Sequence, residues 1–329
     1  MKLFSIRTDL AMEAREIVRE QTKQEIPGVE VDVDRSKNMV ITRVKITTRE
    51  AEKTMGKPRG NYITLEVPKL RERDKLLQEE VSKNFAEEIQ KITRLKEKQK
   101  ESTILIVGLG NWNVTPDALG PRVVQNLLIT RHLIRLVPEQ IDKGVRPVCA
   151  LAPGVLGITG IETGEIIRGV VDRVKPELII AIDSLASRKM ERVSTTIQIA
   201  DTGIHPGSGV NNNRMAITEE TLGVPVVAVG VPTVVDAATM ANDTIDMVIG
   251  AFIKQAPKNS EFYKMLQGMD KNEKYQLISE VIYPYVGNLM VTPKEIDTLI
   301  EDMSRLIAGG LNVALHPGVT FDEVTRYLN

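Results

Sequence analysis

One cysteine, Cys149, is all that the 329 residues contain, so no disulfide can close within the chain, which fits a reducing compartment. It lies in the apolar run Val148-Cys149-Ala150-Leu151, where a buried structural thiol is expected rather than a nucleophile. An excess of either charge is also missing. Lys+Arg number 43 and Asp+Glu 44, a net charge of −1, which points away from nucleic acid or an anionic membrane as the main partner. No stretch approaches the roughly 18 consecutive apolar residues of a membrane span. Residues 1–9 lack the apolar core of a secretory signal, so a cytoplasmic protein is expected. There is no Walker A loop, no H-E-x-x-H and no G-x-S-x-G. Gly108-Leu109-Gly110 begins like a dinucleotide fingerprint, but Asn113 stands where its last glycine belongs. No cofactor is expected. Histidines are three: His132, His205 and His316.

What is present is the balance of a folded globular protein, 42% hydrophobic and 26% charged. No repeat or low-complexity tract is evident. Residues 1–22 read as a polar lead-in. Residues 29–48 alternate apolar and polar around Ser36-Lys37-Asn38, which predicts a hairpin, and residues 62–67 a further strand. Residues 70–99, without Gly or Pro, predict a long amphipathic helix, and the run Arg94-Leu95-Lys96-Glu97-Lys98 its solvated face.

From Ser102 the texture changes. Wholly apolar runs at 104–107, 148–152, 178–182, 197–200 and 226–231 are separated by helix-like stretches at 119–130, 161–174 and 234–252. Buried strands alternating with helices predict an α/β fold with a central, mainly parallel sheet flanked by helices. Residues 255–287 are less regular and suggest an insertion. Residues 291–311 predict a closing helix with Thr292 as cap and Gly309-Gly310 as its stop. The expected division is residues 1–9, a β-rich part with a long helix over 10–101, and an α/β core over 102–329.

In such sheets, ligands gather beyond the carboxyl ends of the strands. The residues found there include Gly108, Gly110, Asn111, Thr115 and Asp117 after the first run, and Pro153 and Gly154 after the second. Asp183 follows the third run, and Asp201 and His205 the fourth. Asp183, directly after Ile179-Ile180-Ala181-Ile182, loses solvation unless it is paired or used. Asp117 stands before a helix, where an acid is also favoured by the helix dipole. If the two face one cleft, they suit water-mediated peptide hydrolysis, since close carboxylates share a proton and can act as base and acid. Other readings stay open. Asp201, His205 and Ser208 imitate a triad, although residues of one loop seldom reach that geometry. Asp117, Asp183 and His205 could hold a metal in a metal-dependent hydrolase. A non-catalytic binding module and a nucleotide-binding regulator are further alternatives.

Several segments together resemble the germination protease (spore protease) family. They are Gly108-Leu109-Gly110-Asn111, Thr115-Pro116-Asp117-Ala118-Leu119-Gly120-Pro121, Pro153-Gly154-Val155, Gly160-Ile161-Glu162-Thr163 and Ala181-Ile182-Asp183-Ser184-Leu185-Ala186. To these are added the run from Asp201-Thr202-Gly203-Ile204-His205 through Pro206-Gly207-Ser208-Gly209-Val210, and Asn288-Leu289-Met290-Val291-Thr292-Pro293-Lys294-Glu295. The similarity spans nearly the whole chain and is weakest around 20–100 and 255–280. The resemblance implies a fold related to hydrogenase maturation proteases, which use a metal-binding cleft in the same place. It implies a homotetrameric, aspartic-type endopeptidase of the spore core that degrades small acid-soluble spore proteins, with its two candidate catalytic aspartates at Asp117 and Asp183. It further implies a zymogen that removes its own N-terminal peptide. The matching segment is Arg7-Thr8-Asp9-Leu10-Ala11-Met12-Glu13-Ala14, with the cut between Asp9 and Leu10. That segment is similar to the Thr-Glu-apolar-Ala-Ser-Glu sites cleaved in the substrates.

Overall fold

The computed structural model describes residues 8–141, 144–205, 215–257, 260–268 and 289–319, with isolated positions between 274 and 287. Arg7, residues 206–210, Asn288 and much of the expected insertion lie outside them.

Residues that read as a polar lead-in form helix α1 (Ala11–Thr22). Strands β1 (Val29–Arg35) and β2 (Val40–Ile46) make the expected hairpin, closed where the Ser36 N–H donates to the Met39 carbonyl at 2.9 Å. Helix α2 (Arg49–Met55) starts at Thr48, whose hydroxyl accepts from the Ala51 N–H, and precedes β3 (Gly60–Glu66). The long helix, α3, covers Lys75–Thr93 rather than 70–99, because Asp74 caps its start and Arg94 turns left-handed at its end. The basic run at 94–98 therefore lies past the helix, with Leu95 buried at 3% exposure, and is not a helix face.

Next come β4 (Ile104–Gly108), α4 (Leu119–Gln125), α5 (Arg131–Leu136), β5 (Val148–Leu151), α6 (Leu156–Thr159), α7 (Thr163–Val174) and β6 (Leu178–Ser187). The chain continues with β7 (Thr196–Ala200), α8 (Glu219–Leu222), β8 (Val226–Asp236), α9 (Ala237–Gln255), α10 (Glu261–Gln267), β9 (Met290–Val291) and α11 (Ile296–Leu315).

Among the described residues all nine strands join one sheet, in the order β1-β2-β3-β7-β8-β6-β4-β5, with β9 against β8. Strands β5, β4, β6 and β8 run parallel; the remaining pairings are antiparallel. The N-terminal strands thus join the sheet edge to edge, through β3 and β7. Strand β4 shows why the central runs are continuously apolar. Ile104 and Ile106 pack into a core with α3, α4 and α11, while Leu105 and Val107 pack into another with α7. A strand covered on both faces has no solvent side to mark with polar residues.

Helix α11 does not stop at Gly309-Gly310 but runs through them to Leu315. A Cβ on Gly310 would lie 2.6 Å from Phe85 and 2.8 Å from the Ser82 carbonyl, so the absent side chain lets α11 approach α3. Thr292 is not its cap; its hydroxyl donates to the Thr233 carbonyl at 2.8 Å and ties β9 to β8. Strand β6 extends five residues beyond its apolar run because β8 pairs with it as far as Ser187, so Asp183 lies within the strand, opposite Gly230. No helix among the described residues is long and apolar enough to cross a membrane.

Candidate active site

Alternation along β6 sets Asp183 on the face of Ile179 and Ala181, at the place where β4 ends beside Ile182. It is buried, 8% exposed, and one carboxylate oxygen accepts from the N–H of Ser184 at 2.9 Å. Beyond Gly108 the chain leaves the sheet, and the Leu109 N–H donates to the Ile182 carbonyl at 2.8 Å. The Asn111 N–H then donates to the carbonyl of Asp117, which ends a 3-10 turn, Thr115–Asp117, stiffened by Pro116. Two glycines permit this fold-back. Gly110 has φ +119, and a Cβ there would lie 1.9 Å from the Asp117 carbonyl oxygen. A Cβ on Gly120 would lie 2.3 Å from the Leu109 carbonyl oxygen and 2.6 Å from that of Ile182. Asp117 is not the cap of α4, since Ala118 holds that position.

Both aspartates line one cavity of about 520 Å³, together with Asp9, Lys57, Gly110, Gly154, Gln198 and His205. Of the other sequence-derived candidates, Gly108 ends β4, Asn111 accepts from the Asn113 N–H at 3.0 Å, and Pro153 is buried behind Gly154. Thr115 opens the turn that carries Asp117. Asp201 turns away from the cavity: its carboxylate accepts from the Asn61 backbone at 2.7 Å and from the Asn61 amide at 2.6 Å, joining β7 to β3. His205 sits exposed at the rim, and Ser208 lies outside the described residues. Asp117, Asp183 and His205 share the cavity, but among the described residues no three His, Cys, Asp or Glu side chains gather as a metal site. Arg188 reaches Glu20 at 3.7 Å and Asp243 at 3.9 Å, and Lys189 reaches Glu16 at 3.3 Å.

The N-terminal segment enters this cavity. The Asp9 N–H donates to the Ala186 carbonyl at 2.9 Å, and the Asp9 carboxylate accepts from the Ala186 N–H at 2.8 Å. The Asp9 carbonyl accepts from Lys57 Nζ at 3.0 Å and from Gln198 Nε2 at 3.1 Å. Gln198 Oε1 accepts from the Ala11 N–H at 2.7 Å, and Leu10 between them is fully buried. Burial pulls the Lys57 ammonium below the usual lysine range, against the opposing charges of Asp9 and Glu13. Burial likewise pushes the Tyr62 phenol, in the same wall, up to about 12.

Helix α1 is fastened by an ion-pair network. Glu13, fully buried, accepts from Arg192 at 2.9 Å, from the Arg188 N–H at 2.7 Å and from the Lys189 N–H at 3.2 Å. Arg192 also reaches Glu16 at 2.6 Å and Glu66 at 2.9 Å. Burial works to raise the Glu16 carboxyl, but hydrogen bonding to and the charge of Arg192 outweigh it and hold the group below its ordinary range. Lys57, Gln198, Glu13 and Arg192 escaped the sequence reading. A lone Gln between Ile197 and Ile199 was the available signal, since a buried amide needs partners.

The family model described as "Germination protease" matches residues 7–266 and 253–328. A germination protease of Clostridium acetobutylicum is 54% identical over 99% of each chain. That of Caldanaerobacter subterraneus subsp. tengcongensis is 57% identical, again over 99% of each. That of Bacillus velezensis is 47% identical over 98% of this chain and 97% of its own. Among solved structures, a [NiFe] hydrogenase maturation protease HycI from Thermococcus kodakarensis is 18% identical, with a TM-score of 0.27, and covers 58% of this chain and 98% of its own. With a family model spanning nearly every residue and full-length relatives above 45% identity, the chain belongs to the germination protease family.

Proposed function

We propose that this chain is an aspartic-type endopeptidase zymogen, with Asp117 and Asp183 activating water, and that it first removes its own residues 1–9. Membership of the germination protease family supports a protease acting on spore proteins, and the small acid-soluble spore proteins are the substrates the resemblance implies. The observation that carries the reading is that Asp9 shares one cavity with both aspartates while its peptide carbonyl is held in place. In the reaction, the charged carboxylate takes a proton from water as its oxygen adds to the carbonyl carbon. The neutral carboxyl gives its proton to the departing amine. The work is done in the cytoplasm of the spore core. Met240, Ile245, Met247 and Val248 leave an apolar surface exposed along α9, which suits assembly into the homotetramer that the resemblance implies.

The test is intact mass over time at mildly acidic pH for the parent, Asp117→Asn and Asp183→Asn. Loss of residues 1–9 in the parent alone, at a rate independent of protein concentration, is expected. Trimming in both variants would remove the two aspartates from the mechanism. A dyad that shares one proton also predicts faster trimming in mild acid; a rate flat from acidic to neutral pH would sink that part.

A further inference from the structure

The Asp9–Leu10 bond is held from both sides. Gln198 donates to the Asp9 carbonyl and accepts from the Ala11 N–H, so one amide spans the bond. Gln198 is 8% exposed within β7, and a buried amide is stable only when both ends are bonded. Lys57 Nζ approaches the same carbonyl oxygen at 3.0 Å and that of Thr8 at 3.3 Å. Asp9 is pinned to Ala186 through its N–H and its carboxylate, three residues beyond Asp183 on the same strand. The carbonyl thus has a fixed position against β6 and two donors aimed at its oxygen.

We propose that Lys57 and Gln198 form an oxyanion clamp on the carbonyl to be cut, and that Lys57 is a further catalytic residue. The inference rests on the reading that the cut falls between Asp9 and Leu10. As the water oxygen bonds to the Asp9 carbonyl carbon, the π pair of the C=O bond moves onto the carbonyl oxygen. That oxygen becomes the site of negative charge, and the ammonium and the amide N–H already face it. The pair then returns, the bond to the Leu10 nitrogen breaks, and that nitrogen takes the proton from the carboxyl. Donors fixed in advance need no reorganisation when the charge appears, and losing one costs about 10²–10³-fold in rate. Once residues 1–9 leave, the same clamp is open to the carbonyl of an extended peptide bound along β6, a recognition that needs only backbone groups on one side.

The experiment measures single-turnover self-cleavage by intact mass for the parent, Asp117→Asn, Lys57→Met, Lys57→Arg and Gln198→Met. Hydrogen exchange over residues 10–22 reports in parallel whether α1 stays docked. Lys57→Met is expected to slow cleavage by about 10²-fold or more with α1 still protected, and Lys57→Arg to recover most of the rate. Gln198→Met is expected to slow it at least tenfold. Lys57→Met cutting at the parental rate overturns the clamp while leaving the two-aspartate reading intact. Slowing accompanied by loss of protection makes Lys57 a structural prop and also overturns it. A parent that is cut at another bond, or an Asp117→Asn that trims normally, shows instead that the underlying reading has failed, and the clamp falls with it.

Discussion

The Leu109 N–H donates to the Ile182 carbonyl at 2.8 Å, so the loop carrying Asp117 is tied to the residue just before Asp183. The two aspartates are positioned by one joint, and Gly120 sits against both sides of it, with the Leu109 and Ile182 carbonyl oxygens within 2.6 Å of where a Cβ would stand. Those atoms are backbone and cannot rotate away. Gly120→Ala is expected to destabilise the fold by about 3 kcal/mol and to slow self-cleavage roughly 100-fold. Gly169→Ala, in the exposed part of α7 with nothing within 4 Å, is expected to stabilise by about 0.5–1 kcal/mol. Urea unfolding of both variants checks the contrast.

Arg192 faces Glu13, Glu16 and Glu66 together, with its side chain 7% exposed and that of Glu13 fully buried. Arg192→Met is expected to cost about 3–5 kcal/mol, because it strands a buried carboxylate. Proteolysis within residues 11–22 should become detectable in that variant, and equilibrium unfolding gives the magnitude. A double variant, Arg192→Met with Glu13→Gln, should recover much of the loss.

His316 is fully buried, and its ring is held neutral: Nδ1 accepts from the Arg146 N–H at 3.2 Å and Nε2 faces the Leu128 carbonyl at 3.3 Å. Burial lowers its pKa to about 4, with Arg146 adding to the shift and the Leu128 carbonyl opposing it. Its folded value lies below the unfolded value of about 6.5. The unfolded chain therefore binds the extra proton between those limits, and this group's stabilisation is complete above about pH 6.5 and is lost as the pH falls toward about 4. The loss by pH 4.5 is on the order of 2–3 kcal/mol. Urea unfolding from pH 4.5 to 7.5, done in the Asp117→Asn background to prevent trimming, should show it; His316→Gln should flatten that slope.

His205 is exposed at the cavity rim and joins no cluster of metal-ligating side chains among the described residues. His205→Ala is expected to trim within about threefold of the parent, since a rim group outside the proton-transfer path contributes little. Exhaustive chelation is expected to leave the trimming rate unchanged, by the same mass measurement. A rate that collapses on chelation and returns with added zinc would favour the metal-dependent alternative.

Much of this was legible from residues alone. The continuous apolar runs at 104–107, 178–182 and 226–231 could only be strands covered on both faces, and β4, β6 and β8 are their centre. The end of the third run singled out Asp183, because a buried carboxylate needs a partner or a use, whereas Asp117 also read as an acid before a helix; the fold sets both along one cavity. The misread pieces have a common cause. Gly309-Gly310 look like a stop until Phe85 and Ser82 of α3 are seen filling the space beside Gly310. Residues 11–22 look like a polar lead-in because their acids, Glu13 and Glu16, are neutralised by Arg192 from a distant turn.

The chain's local pattern determined which segments become strands and helices, since periodicity and caps act over a few residues. Only the tertiary structure decided what those segments place together. The antiparallel pairing of β3 with β7 brings Gln198 beside the loop that carries Lys57, and the extension of β6 past β4 leaves Ala186 free to hold Asp9. No local rule carries that information, because the partner of a buried polar group is chosen by strand order and register, which are settled by the packing of the whole sheet.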